Sequence, residues 1–136
     1  MTNEAKKELI SRYYLEIMAC RRYELFSQLF AQDFKARYSN GQAVGLLRYE
    51  ELLKGSHAAF PDLKVTIEDQ IAEGDKVATR WTAAGTQAGE YLGVAPTGKR
   101  VVLTAIHIHR IENDRIAELW EEINLYNILK SLGAVQ

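Results

Sequence analysis

Apolar residues recur at helical spacing from Asn3 onward, at Ala5, Leu9, Tyr13 and Ile17 with Leu15 and Met18 beside them, while Lys6, Lys7, Glu8, Arg12 and Glu16 fill the other side. This pattern predicts an amphipathic first helix. A second helical stripe, Tyr23, Phe26, Leu29 and Phe30, follows in RRYELFSQLF, before QDFKARYSNGQAVG changes to short extended and turn chemistry around Asn40-Gly41 and Gly45. The run LRYEELLKGSHAAF predicts a third helix. It must end by Phe60, because Pro61 confines the residue before it to extended backbone.

Beyond Pro61 the period changes. LKVTIEDQIAE, KVATRWTAAGTQ, RVVLTAIHIHRIE and RIAELWEEI alternate apolar with polar residues or are rich in β-branched ones. Gly74-Asp75, the stretch from Gly93 to Gly98, and Asn113-Asp114 punctuate them, so the pattern predicts long antiparallel strands joined by hairpins. Asn124 then stands where it can cap a last helix, NLYNILKSL, which stops at Gly133. Three N-terminal helices followed by a strand meander predict an α+β arrangement, with helices gathered on one face of a strongly curved sheet.

At 136 residues and 47% hydrophobic, the chain is expected to form one domain over residues 1–136, with a core large enough to enclose a pocket. Lys and Arg number 17 against 18 Asp and Glu, a formal net charge of -1 that supplies no field for phosphate backbones or anionic lipids. Neither nucleic acid nor a membrane is expected as a partner. The single cysteine, Cys20, cannot form an internal disulfide, which makes a cytoplasmic location the expectation and a packed, reduced thiol the expected state. The N-terminal MTNEAKKELI has no apolar run of the kind a signal peptide needs, and a soluble, unprocessed chain is expected.

Candidate chemistry concentrates in TAIHIHRIENDRIAELWEEIN, Thr104 to Asn124, where two histidines, a tryptophan and two adjacent glutamates interrupt a pair of apolar strands. Side chains alternate along a strand, so of Glu121 and Glu122 one must point away from the other. Register decides which groups meet. A two-residue turn at Asn113-Asp114 with an unbroken ladder sets His107 opposite Trp120 and sends Glu121 to the other face. A three-residue loop, or a bulge further along, returns His107, His109 and Glu121 to one face. His107 and His109 share a face, but no Cys, Asp or further His stands at ligand spacing, and no metal site is expected.

The run HAAFPDLKVTIEDQIAEGDKVATRWTAAGTQAGEYLGVAPTGKRV, followed by HRIENDRIAELWEEINLYNILKSLG, resembles the polyketide cyclase SnoaL-like (ester cyclase) family of the nuclear transport factor two-like superfold. The resemblance extends from about Arg48 to Gly133. It is carried by Phe60-Pro61-Asp62-Leu63, the Glu73-Gly74-Asp75 hairpin, Arg80-Trp81, Gly93, Pro96-Thr97-Gly98 and the Trp120 strand before a short closing helix. It implies a cone: a curved mixed sheet of about four long antiparallel strands plus short ones wraps a cavity that the N-terminal helices cover. It also implies an acid/base carboxylate at Glu121, where the characterised cyclases have aspartate, and a histidine at His107, both facing that cavity.

A carboxylate in an apolar cavity is harder to ionise than one in water, a useful property in a group that must both take and return a proton. His107 would donate a hydrogen bond to a developing oxyanion or hold the glutamate in position. Trp81 and Trp120 either pack in the core or wall the cavity for a planar ligand. Tyr14 and Tyr38, with Tyr13, are placed to offer hydroxyls near the mouth. His109 and His57 are candidate pocket residues, His57 being either at the cavity or on the surface. The expected function is a cofactor-independent, cyclase-like acid/base enzyme of the intramolecular aldol type, acting on a hydrophobic carbonyl compound or polyketide-like small molecule. Isomerisation or epoxide hydrolysis on the same scaffold, a non-catalytic small-molecule binding protein that stores or senses an apolar metabolite, and an interaction domain are the alternatives. A homodimer formed through the exposed sheet face is the expected assembly.

Overall fold

The computed structural model describes residues 1–135. Helix α1 (Asn3–Arg12) starts where predicted: the Thr2 hydroxyl accepts from the Ala5 N–H at 3.0 Å, Glu4 sits in the first turn and Arg12 in the last. Capping and charge placement both favour this direction of the helix dipole. From Tyr13 to Met18 the helix widens into a π turn. The altered periodicity buries adjacent residues in pairs, Tyr13 with Tyr14 and Ile17 with Met18, and leaves Leu15 half exposed. A regular 3.6-residue helix cannot present both tyrosines to the core equally.

The predicted second helix is shorter than its apolar stripe. A single 3₁₀ turn (Tyr23–Leu25) and α2 (Phe26–Leu29) give way at Phe30 to an extended backbone that begins β1 (Phe30–Tyr38). Phe30 remains buried, as the stripe demanded, but from a strand. After the short β2 (Ala43–Gly45), α3 (Leu46–Ala59) ends before Pro61. Strands β3 (Lys64–Glu73), β4 (Lys76–Thr86), β5 (Arg100–Glu112) and β6 (Arg115–Ile123) follow, then α4 (Leu125–Ser131) with Gly133 at φ 79 beyond its end. Asn124 occupies the cap position, yet its side-chain oxygen accepts from the Thr104 N–H at 3.0 Å and ties α4 to β5 instead. Cys20 is exposed, not packed.

The six strands form one curved, unclosed mixed sheet in the order β2-β1-β6-β5-β4-β3, with β1 parallel to β6 and the other neighbours antiparallel. Its inner face carries Val77, Trp81 and Ala105, packed against Ile10, Tyr13, Tyr14 and Ile17 of the first helix. A smaller cluster, Ala59, Phe60, Val101, Ile128 and Leu132, closes the other end beneath α4. Gly85 allows β4 to pass the end of α3, since a Cβ there would stand 3.0 Å from Phe60 Cβ. Between β4 and β5 the chain is held by a buried amide. The Gln87 side chain donates to the carbonyls of Gly89 and Val94 and accepts from the backbone N–H and the hydroxyl of Thr97.

The β5–β6 register resolves the alternatives left by the sequence. Asn113 and Asp114 both lie in the left-handed region, at φ 52 and 61, and form a two-residue turn with Glu112 opposite Arg115. Pairing then runs Ile111 with Ile116 but Arg110 with Glu118, so Ala117 is an extra residue bulged out of the ladder. Ile116 and Ala117 are accordingly buried in succession. Past the bulge His107 pairs with Glu121 and Ile108 with Trp120.

Deleting Ala117 should therefore remove the bulge while leaving Arg110 opposite Glu118 and His107 opposite Glu121, so the faces of residues 118–123 are kept and only the local bend and the buried Ala117 contacts are lost. A folded protein with a loss of about 1–3 kcal/mol, read from urea unfolding, is the expected outcome.

Candidate active site

The concave face of the sheet, α3, the β1–β2 turn and the segment around Tyr91 enclose a cavity of about 660 Å³. Its wall is mainly apolar and aromatic, with Tyr13, Tyr49, Phe60, Leu63, Trp81 and Leu103 among its residues, and its polar groups include His107 and Glu121. Arg48, Glu51, Ser56 and Glu90 also line it. This is the composition of a small-molecule pocket: much apolar surface and a few convergent polar groups.

His107 is 1% exposed and Glu121 faces it across the ladder, with His107 Nε2 at 3.6 Å from Glu121 Oε2. That is too long for a hydrogen bond, so Nε2 has no hydrogen-bond partner. The other ring nitrogen, Nδ1, is 2.7 Å from the Tyr14 hydroxyl. Tyr14 is also hydrogen-bonded to Thr79, Thr79 accepts from Gln70 Nε2 at 3.1 Å, and Gln70 Oε1 accepts from Ser11 at 3.0 Å. A continuous polar chain thus runs from the α1–β3 contact to the cavity floor. The indole Nε1 of Trp81 is likewise buried and unpartnered. Each such donor costs about 1–3 kcal/mol relative to a satisfied one.

Around the carboxylate stand phenols held neutral. Burial, and then the negative charge of Glu121, push the Tyr38 hydroxyl up to about 12. Tyr13 and Tyr49, whose oxygens lie 2.5 Å apart, are raised further, with burial the leading cause in both. They remain proton donors throughout the neutral range.

The sequence-derived candidates are distributed unevenly around this site. His107, Glu121, Trp81 and Tyr38 line the cavity; Tyr14 lies directly behind His107 and is completely buried. His109 lies deeper, enclosed by the rings of Tyr13, Tyr14 and His107, and does not line the cavity. His57 is neither at the cavity nor on the surface. It is buried, with Nδ1 at 2.5 Å from the Tyr23 hydroxyl and Nε2 at 2.7 Å from the Met18 carbonyl, and so fastens α3 to the end of the π turn. Trp120 is on the opposite face of β6 from Glu121, because consecutive strand residues alternate. Tyr49 and Tyr91 were not anticipated. Tyr49 shares the i, i+4 stripe Tyr49, Leu53, His57 on α3, which pattern reading could have found; Tyr91 sits in an irregular segment with no such signal. Among the described residues no group of three His, Cys, Asp or Glu side chains could hold a metal ion, and no helix is long and apolar enough to cross a membrane.

Residues 8–132 match the family profile of the SnoaL-like polyketide cyclases. Among solved structures, IdmH of Streptomyces antibioticus, a proposed polyketide cyclase, is 28% identical, with 94% of this chain and 98% of that chain covered and a TM-score of 0.83. AclR of Streptomyces galilaeus, a proposed hydroxylase, is 30% identical over 99% and 100% of the two chains, with a TM-score of 0.84. The fold is also that of a SnoaL-like protein from Jannaschia, at 21% identity, 98% and 95% coverage and a TM-score of 0.89. No curated protein matches the sequence.

The buried imidazoles make stability depend on pH. Burial, and then the charge of His107, hold His109 well below its ordinary 6.5, and burial lowers His57 as well. The unfolded chain therefore binds more protons than the folded one below pH about 6.5. Stability should be intact above that value and fall as pH drops from it towards the folded-state values. Urea midpoints measured across this range should decline with acidification, and His109→Leu should flatten the decline.

Proposed function

The chain belongs to the SnoaL-like polyketide cyclase family, and on that premise we propose that it is a cofactor-independent acid/base enzyme closing rings in a hydrophobic, polyketide-like carbonyl compound. Glu121 removes a proton from a carbon flanked by carbonyls. The resulting enolate attacks a second carbonyl carbon of the same molecule, and protonated Glu121 returns its proton to the alkoxide so formed. Conjugation spreads the enolate charge, and the aromatic walls hold the chain folded with its reacting carbons close. The observation that carries this reading is the pairing of Glu121 with His107 at 3.6 Å, on one face of the sheet, within an apolar cavity. His107 serves as donor towards substrate oxygen through its unpartnered Nε2. Trp81 and Tyr38 contact the ligand, and Tyr14, His109 and His57 support the site from behind it.

The AclR likeness favours a second reading in which the same base forms the same carbanion but the product is not a ring. Both readings share the first step, which can be followed without knowing the natural substrate. Deuterium exchange at the acidic carbon of a hydrophobic β-keto ester, read by NMR, should be catalysed by the protein. Glu121→Gln should slow it by about 10²–10⁴-fold while leaving fold and ligand affinity intact. Undiminished exchange in that variant would remove Glu121 as the base, and no exchange above background by the natural protein would favour a non-catalytic binding protein.

We further propose a homodimer through the outer sheet face. A row running Ile71, Ala78, Ile108 and Trp120 crosses four adjacent strands there, and Ile71, Ile106, Ile108 and Val102 are exposed. Such a contiguous apolar stripe is characteristic of an interface. Sedimentation velocity should give a dimer for the natural protein and a folded monomer for Ile108→Glu.

A further inference from the structure

We propose that the indole N–H of Trp81 and the Nε2–H of His107 form a donor pair that receives the substrate's enolate oxygen, with Tyr14 as the positioning residue that keeps His107 in the donor tautomer. This rests on Glu121 acting as the base. Both nitrogens are buried, neither has an acceptor within the protein, and both rings line the same cavity with centroids 4.9 Å apart. Buried donors are nearly always satisfied in a folded protein, so two unspent donors in one pocket wall point to an acceptor that arrives with the ligand. The two unpartnered nitrogens of His109 do not compete for this role, because that ring is shut behind Tyr13, Tyr14 and His107.

The tautomer follows from the neighbours. Nε2 faces the Glu121 carboxylate, which accepts hydrogen bonds and cannot donate them when ionised, so the ring proton belongs on Nε2. Nδ1 is then an acceptor and the Tyr14 hydroxyl donates to it. The Tyr14 oxygen keeps a lone pair for the Thr79 hydroxyl, whose own oxygen accepts from Gln70. Every donor along the chain points one way, and it ends on an N–H at the cavity. His107 therefore cannot be a second base in the resting enzyme.

The step balances without a further reactant. The substrate C–H bond breaks and its proton passes to Glu121; the electron pair becomes the C=C bond of the enolate, and the carbonyl π pair moves to oxygen. Negative charge thus leaves the carboxylate beside His107 and appears on the substrate oxygen assigned to the two N–H groups. Donors already fixed in place need not reorient as that charge develops.

NMR of the imidazole and indole nitrogens in isotope-labelled, full-length protein tests this without turnover. Ligand-free protein above the imidazole titration range should show His107 protonated on Nε2, with Nδ1 accepting a hydrogen bond. Tyr14→Phe should move the Nδ1 resonance towards that of an unbonded acceptor; Thr79→Val should do so to a lesser degree and covers the event that the first variant fails to fold. Alizarin, a planar hydroxyanthraquinone, should shift the N–H signals of Trp81 and His107 downfield while that of Trp120 on the outer face stays fixed. Trp81→Phe, which keeps an aromatic wall but has no N–H, should weaken alizarin about tenfold. Protonation of Nδ1 in the ligand-free protein, or no saturable displacement of both N–H signals by alizarin, overturns the donor pair. A Glu121→Gln protein that still exchanges substrate protons would instead sink the base assignment, leaving these spectra to decide the donor pair.

Discussion

The site depends on one irregular pairing. A tight hairpin turn at Asn113-Asp114 sets the strands in a register that would put His107 and Glu121 on opposite sides of the sheet, and the additional residue at Ala117 reverses that outcome four residues before the carboxylate. The bulge thus performs two functions: it increases the local bend that helps the sheet curve, and it decides which side chains face the cavity. Ile116 and Ala117 fill the inner face next to it, so the irregularity is embedded in the core and cannot relax by sliding.

A comparable irregularity shapes the helix that covers the sheet. The π turn from Tyr13 to Met18 directs two consecutive tyrosines inward, one to the Tyr49 hydroxyl and one to His107. The aromatic shell formed with Phe26, Phe30 and Phe34 holds them in edge and tilted contacts, which stabilise such pairs by about 0.5–1.5 kcal/mol beyond area burial. Low polarity in this shell keeps the Tyr13 and Tyr49 phenols and the His109 imidazole neutral in the neutral range. Packing and electrostatics are here the same arrangement viewed twice.

Much of this was legible from the residues alone. The four long strands, the end of α3 before Pro61 and the closing helix follow from period and punctuation, because those elements bury one regular face. The faces of β6 were not legible, since in RIAEL the neighbouring apolar residues Ile116 and Ala117 can each be read as the inward one, and a bulge there leaves no mark of its own. Phe30 was assigned to a helix because its stripe reports burial, which a strand satisfies equally well. His57 fitted neither expectation because its two hydrogen bonds come from Tyr23 and Met18, residues 34 and 39 positions away, and no local pattern encodes them. Trp120 was grouped with Trp81 by residue type, whereas alternation separates them.

The amide of Gln87 has an implication for how such a scaffold diversifies. It clamps the segment between β4 and β5 at Gly89, Val94 and Thr97, leaving Tyr91, Leu92 and Gly93 as a small excursion closed by reciprocal Tyr91–Val94 backbone hydrogen bonds. Because the clamp is anchored at its base, residues at the tip can be exchanged or inserted without disturbing the sheet beneath. Aperture size can therefore change while the side chains at the cavity floor keep their positions.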